Sequence, residues 1–260
     1  MKSLSQEKIA QITESYQKCG SLRKVCKKLG ISIGSAHKYT SKNNIINKLN
    51  ITKEVKSKDE RLIGLYIGLW MGDGTQYYEK HKRGYTIKIC SDKRNILLNN
   101  FIQEIILKIF AKTSNLKKIS LTNQAYIKFS SRYIFYFVYK YVKHDRNKTH
   151  SVGLKEDINS YSIDFLEGCL LGLSLSDGSL KHIFYFNVTS VALSDNMVEI
   201  LKKFQFKPLK YIYRREKYGW KDLHMVRLRT EESKKLELFL NDVLKKLNCT
   251  SSFKELKYEK

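Results

Sequence analysis

Two hydrophobic periods alternate along this chain. A helical repeat predicts helices at about 60–72, 92–110 and 131–142, and again at about 162–176, 194–205 and 231–247. Apolar and polar residues alternate at about 116–120, 124–130, 209–216 and 223–230, which predicts strands there. Two more strands follow each apolar helix and include Ile87-Lys88-Ile89-Cys90-Ser91 and Phe186-Asn187-Val188-Thr189-Ser190. The order is αββαββα, twice, which predicts an α+β fold. Residues 1–45 read as short helices, and residues 46–60 as a polar, charged linker. A polar stretch from His144 to Lys155 splits the larger part, so the expected units are 61–150 and 151–260.

The two units match residue for residue. Gly64, Gly68, Gly72, Asp73, Gly74 and Thr75 fall on Gly168, Gly172, Ser176, Asp177, Gly178 and Ser179 at a constant offset of 104. Downstream, Ile127-Lys128-Phe129-Ser130 falls on Val226-Arg227-Leu228-Arg229 at an offset of 99, so one hairpin is shorter in the second copy. Two copies suit a pseudo-twofold pair rather than a solenoid.

Glycine costs a helix about 1 kcal/mol against alanine. Gly64, Gly68 and Gly72 at i, i+4 and i+8 share one helix face, as do Gly168, Gly172 and Ser176. Such faces let two helices approach closely, so the two apolar helices are expected to pack on each other. Asp73 and Asp177 close the two helices, where a carboxylate opposes the helix dipole. Gly74 and Gly178 follow, as expected for a helix end that needs positive φ. If the helices meet about a twofold, the carboxylates converge. Close carboxylates repel, and a divalent cation relieves the repulsion; hard oxygen ligands suit Mg²⁺.

Charge sharpens this picture. Lys plus Arg number 49 against 25 Asp plus Glu, a formal charge of +24. Such a surplus opposes compaction unless a polyanion neutralises it, and nucleic acid is the natural partner. Metal-assisted phosphodiester hydrolysis is the chemistry that unites the acids with that surface.

Tyr66-Ile67-Gly68-Leu69-Trp70-Met71-Gly72-Asp73-Gly74 and Leu170-Leu171-Gly172-Leu173-Ser174-Leu175-Ser176-Asp177-Gly178 resemble the two motifs of a single-chain LAGLIDADG homing endonuclease. The resemblance covers about residues 61–250. It implies two pseudo-symmetric αββαββα units with saddle-shaped antiparallel sheets. It also implies a monomer that makes a staggered break in double-stranded DNA at a long asymmetric site. By the same resemblance Asp73 and Asp177 bind the catalytic Mg²⁺, with Mn²⁺ as a substitute, and Gly72 and Ser176 are expected in the metal site with them. The sixth motif position, often acidic in the family, is Met71 and Leu175 here. Family members also carry a basic residue near the metals; Lys140, Lys143 and Lys148, and Lys245, Lys246 and Lys254, are the candidates. Ser91 and Ser190 stand where some relatives have a water-positioning glutamine or lysine.

One face of each sheet should be open, and alternation identifies its residues. Lys88, Lys128 and Ser130 belong to that face in the first unit, with Thr86 and Tyr126 beside them. In the second unit it takes Tyr211, Tyr213 and Arg215, then Arg227 and Arg229, with Asn187 and Thr189 on the neighbouring strand. Arginine, asparagine and threonine suit base edges in the major groove. A strand of about eight residues spans about 26 Å, or about eight base pairs per half.

Residues 20–39 resemble a helix-turn-helix, with Val25, Leu29 and Ile31 as its core, small Cys26 at the helix crossing, Gly30 at the turn and Ser32 as a cap. A first helix contributes Ile9, Ile12 and Tyr16. Ile33, Ser35 and Lys38 are the expected DNA-facing residues. Residues 1–60 hold 13 basic and 5 acidic side chains, so this segment is itself basic.

Several classes fall away. The six histidines form no HExxH, and no GxxxxGK[ST] loop exists. The five cysteines form no CxxC pair, which argues against a zinc ribbon and for a reducing compartment. The apolar run Leu62–Gly72 is too short to cross a membrane. No apolar leader follows Met1, so the chain is expected inside the cell. Two other readings use the same basic fold: an RNA maturase that assists intron splicing, and a DNA-binding regulator that does not cut.

Overall fold

In the computed structural model the chain divides into two compact units, Met1–Val55 and Lys56–Lys260. The structure describes residues 6–19, 22–36, 55–79, 81, 84–120, 122–145 and 147–258. Among them no helix is long and apolar enough to cross a membrane.

The first unit holds helices α1 (Gln6–Cys19) and α2 (Leu22–Leu29), and residues 33–36 are helical again. Ile12, Tyr16, Val25, Cys26 and Ala36 form its core, with Leu22, Leu29 and Ile31 packed against them. Gly30 turns the chain at φ +64°, a conformation that glycine adopts without strain. Ser32 Oγ then accepts from Ser35 N at 3.0 Å and caps the next helix. Ile33 is exposed and Ser35 half-buried. Lys38 and most of the 46–60 segment lie outside the described residues. Where that segment resumes, Lys56 N and Ser57 N donate to Ile109 O at 2.7 and 3.3 Å, so its end belongs to the second unit.

The second unit repeats one arrangement. Helix α3 (Glu60–Asp73) is capped by Asp59, whose side chain accepts from Arg61 N and Leu62 N. Strands β1 (Gly74–Glu79) and β2 (Gly84–Asp92), helix α4 (Ile96–Phe110), strands β3 (Asn115–Lys118) and β4 (Gln124–Ser130), and helix α5 (Arg132–Val138) follow. A small ladder of β5 (Val142–Lys143) with β6 (Gly153–Leu154), around the short helix α6 (Lys148–Ser151), leads into the second half. There α7 (Ile163–Ser176), β7 (Gly178–Ser179), β8 (Tyr185–Val188), α8 (Val191–Lys203), β9 (Leu209–Tyr213), β10 (Leu223–Arg227), α9 (Thr230–Lys246) and α10 (Phe253–Tyr258) complete the chain.

The two four-stranded sheets have equivalent orders, β1-β2-β4-β3 and β7-β8-β10-β9, antiparallel throughout. One face of each carries the core. Ile87, Ile89, Ile127 and Phe129 are buried in the first sheet, and Phe186, Val188 and Val226 in the second. Serine and asparagine caps start the helices that cover them: Asn95 for α4, Ser131 for α5 and Ser190 for α8.

Some expectations change. Helix α5 stops at Val138 rather than near 142, because Lys140 N and Tyr141 N turn back on Phe137 O and Val138 O, freeing Val142 to pair with Leu154. Strand β9 ends at Tyr213 and β10 at Arg227, so Arg215 and Arg229 lie beyond the strands. Arg215 enters a short 3₁₀ turn, and the carbonyl of Arg229 begins α9 by accepting from Ser233 N at 2.9 Å. Helix α10 lies outside the expected αββαββα order; its Phe253 and Leu256 are buried, and it packs on α4, α7 and α9.

Candidate active site and nucleic-acid interface

Helices α3 and α7 meet along their small-residue faces. A Cβ on Gly64 would strike the carbonyl of Phe165, and one on Gly168 the carbonyl of Arg61. One on Gly68 would sit 3.0 Å from Gly172 Cα and closer to backbone atoms of Cys169 and Leu173. The two backbones therefore touch where side chains would otherwise separate them, and the helix ends come together with the spacing set by Gly72 and Ser176.

Gly74 and Gly178 serve a purpose other than the one expected. Gly74 is extended (φ −79°, ψ 149°), and neither residue has positive φ. Each strand instead folds back against its own helix. A Cβ on Gly74 would lie 2.6 Å from Trp70 Cα, and one on Gly178 would lie 2.8 Å from Ser174 Cα.

Asp73 and Asp177 meet at this junction and feel each other. Burial pushes the Asp177 carboxyl up to about 6, the charge of Asp73 adds to the rise, and Lys148 and Lys257 oppose it. Burial likewise raises Asp73 above the usual carboxylate range, against the lowering pull of Lys257 and Lys148. Two half-buried carboxylates whose pKa values burial raises supply hard oxygen donors in need of a cation. Among the described residues no cluster of three or more histidine, cysteine, aspartate or glutamate side chains exists, so further ligands would come from water or phosphate oxygen. The donor set fits a divalent ion of the Mg²⁺ type.

A lysine closes each helix end. Lys148 Nζ, on α6, donates to Gly72 O (2.9 Å) and Gly74 O (2.6 Å) and lies 4.9 Å from the Trp70 ring. Lys257 Nζ, on α10, donates to Leu175 O (2.5 Å) and Ser176 O (2.6 Å). The main-chain oxygens of Gly72 and Ser176 are thus lysine acceptors. Burial pulls Lys148 down to about 8, with Asp177 and Asp73 resisting, and Lys257 is lowered for the same reason. Of the six expected lysines only Lys148 comes to the acids. Lys246 is held by Glu167 and Asp242, and Lys254 by Glu237. Lys257 was missed, because the residues around it share no pattern with those around Lys148. Ser190 is fully buried, caps α8 and donates to Val152 O, which removes it from any water. Ser91 donates to Asp92 O and pairs with Asn99.

The carboxylate pair is flanked by two clefts. One is lined by Asp73, Cys90, Ser91, Tyr126 and Lys257, the other by Asp177, Asn187, Thr189 and Lys148. Cys90 and Thr189 occupy equivalent positions. Thr189 Oγ1 donates to Thr149 O at 2.9 Å and meets His150 Nδ1 at 2.9 Å, so it is tied to α6. Cys90 is exposed.

The open sheet faces carry most of the expected side chains. Lys88 stands between the rings of Tyr77 (4.9 Å) and Tyr126 (4.6 Å), and its hydrogen bond to Tyr77 raises its pKa. Lys128 pairs across from Lys88 and reaches Glu79 at 3.5 Å. Ser130 is exposed opposite Thr86. In the second sheet Asn187, Met225 and Tyr211 form one row, and Tyr185, Arg227 and Leu209 the next. Arg227 lies 5.5 Å from the Tyr185 ring. Tyr211 and Tyr213 are exposed on the edge strand. Arg229 is exposed at the start of α9, and Arg215 bonds to Lys221 O at 2.8 Å.

No protein-family model and no curated protein matches the chain. Solved structures do. A study of mesophilic variants of the homing endonuclease I-DmoI gives a TM-score of 0.53 at 14% identity, over 71% of this chain and 97% of that one. I-DmoI in complex with DNA and Mn gives 0.53 at 14% identity, over 70% and 97%. I-DmoI with DNA and Ca gives 0.51 at 14%, over 71% and 91%. At this identity the likeness is one of fold, and it agrees with the paired motif helices and the equivalent sheets: the chain has the LAGLIDADG fold, with one motif in each pseudo-symmetric half.

Proposed function

We propose that the chain is a site-specific DNA endonuclease that hydrolyses one phosphodiester on each strand of a long asymmetric duplex site, using Mg²⁺, or Mn²⁺ in its place, and acting as a monomer. The observation that carries this reading is the meeting of Asp73 and Asp177 at the ends of two abutting helices, with Lys148 and Lys257 on either side.

The acids would hold the metal. Bound there, a divalent cation supplies an activated water at neutral pH and polarises a phosphoryl oxygen. The rest falls to the side chains. Lys148 Nζ, poised near neutrality, can carry a proton to a leaving 3′ oxygen, while Lys257 Nζ offsets charge that develops on the phosphate. Lys88 and Arg227 are preset by aromatic neighbours to meet base edges or phosphates. The same fold at I-DmoI, solved with DNA and Mn, supports DNA as the polymer and a divalent ion as cofactor. Ile33 and Ser35, at the start of a capped helix in the first unit, would extend the contact.

The test is cleavage of a randomised duplex library in Mg²⁺ by the wild type, Asp73→Asn and Asp177→Asn. One long cut site for the wild type, lost in both variants, supports the proposal. Enrichment of a bound site with no cutting by any of the three leaves a binding protein and refutes it.

A further inference from the structure

The connection from β9 to β10 is longer than the one from β3 to β4. Between β3 and β4, Ile119 N donates to Gln124 O at 3.0 Å. Residues 214–222 form a longer turn with internal structure. The carbonyl of Arg215 accepts from Tyr218 N (2.9 Å) and Trp220 N (3.3 Å). Gly219, at φ +67°, donates to Glu216 O at 2.8 Å. Arg215 Nε donates to Lys221 O at 2.8 Å, and its main-chain N to Asp222 Oδ1 at 3.3 Å.

These bonds present a cation–aromatic cluster rather than bury one. The Arg215 guanidinium lies 5.6 Å from the Trp220 ring, Trp220 lies 5.8 Å from Tyr218, and Lys217 Nζ lies 4.8 Å from Tyr218. Yet Trp220 is 62% exposed and Tyr218 59%. The edge strand behind them shows Ile212 and Tyr213 to solvent as well. A tryptophan in this setting gives the core nothing, and its cationic neighbours Arg214, Arg215, Lys217 and Lys221 suit a polyanion with flat apolar faces. Nucleobases on a phosphate backbone have that chemistry, and the turn joins the two strands that carry Tyr211 and Arg227.

We propose that the 214–222 turn is a nucleobase-stacking site, where Trp220 packs on an unstacked base step of the second half-site in duplex DNA, at the end of the sheet where Leu223 joins Asp177 in one cleft. The inference rests on the reading of the chain as a DNA-binding protein. It implies that the second half grips and distorts DNA through this turn.

The chain has two tryptophans, and Trp70 is buried, so the difference between wild type and Trp220→Phe isolates the emission of Trp220. The probe is the duplex recovered by selection on the full chain, with 2-aminopurine walked through the half-site bound by the second half. The expected result has three parts. Trp220 emission is quenched on binding, and 2-aminopurine brightens several-fold at one step of that half-site. Trp220→Ala weakens binding by about 5- to 100-fold, while Trp220→Tyr restores it to within about threefold. A duplex bound and cut with no quenching, no brightening and unchanged affinity for Trp220→Ala overturns this proposal and leaves the endonuclease reading standing. Recovery of no duplex overturns both.

Discussion

Gly68 and Gly172 face each other at the crossing of the two motif helices, where a Cβ on Gly68 would sit 3.0 Å from Gly172 Cα. On an exposed helix Gly→Ala stabilises by about 1 kcal/mol. Here the sign reverses, because the obstacles are backbone atoms that cannot rotate away. Gly68→Ala and Gly172→Ala are each expected to destabilise by about 3 kcal/mol or more, at the upper end of overpacking effects. Urea unfolding measures it, and a stabilised variant would show that the helices are not in contact.

The carboxylate pair makes stability depend on pH. Asp177 has its pKa raised to about 6 in the folded chain, so the native state binds a proton that the unfolded state has released. In EDTA, stability is expected to fall as pH rises from about 4 to about 6 and to stay lower above that. Asp177→Asn should therefore exceed the wild type by on the order of 1–3 kcal/mol at pH 8. At pH 3.5 the advantage should vanish. Mg²⁺ should narrow the gap at pH 8 by stabilising only the wild type. Thermal melts at both pH values, with and without the ion, check the four corners.

Lys148 and Lys257 occupy equivalent places, each bonded to two carbonyl oxygens at a helix end. Lys148→Met and Lys257→Met are each expected to slow single-turnover cleavage by about 10²- to 10³-fold. Strand-specific end-labelling should show each variant slowing one strand more than the other. Equal slowing of both strands by either variant would contradict a division of labour between the halves.

Glu167 is nearly buried and bonds to Arg61 Nε (2.7 Å) and Lys246 Nζ (2.9 Å), so it ties α7 to the start of α3 and the end of α9. Glu167→Ala leaves the Arg61 guanidinium without that partner and is expected to cost about 3 kcal/mol. A double-mutant cycle with Arg61→Ala should recover about 1 kcal/mol or more as coupling. Additive losses would mean the bridge adds nothing.

Ser174 stands where the first half has Trp70, and its hydroxyl is fully buried without a hydrogen-bond partner among the described residues. Ser174→Ala removes an unsatisfied group and is expected to stabilise by about 1 kcal/mol. Chemical denaturation of the variant decides it.

The sequence alone determined the two motif helices, their shared small-residue face and the matching positions of Asp73 and Asp177. Those features are local: a helical period and a constant offset of 104 are visible without knowing what touches what. Most sheet-face residues were legible for the same reason, since alternation on a strand sorts its two faces. Where elements end was less legible. Arg215 and Arg229 leave their strands because turns and helix starts are chosen by backbone bonding, which alternation does not encode. Gly74 and Gly178 show the limit most clearly. Both were expected at a helix end, but they are required by the close return of each strand to Trp70 and Ser174, not by positive φ. Only the tertiary structure decided which lysines reach the acids. Lys148 and Lys257 lie far from the motifs in sequence, on short helices outside the repeat. Chain folding carries their ammonium groups to carbonyl oxygens at the helix ends, and burial there lowers their pKa values.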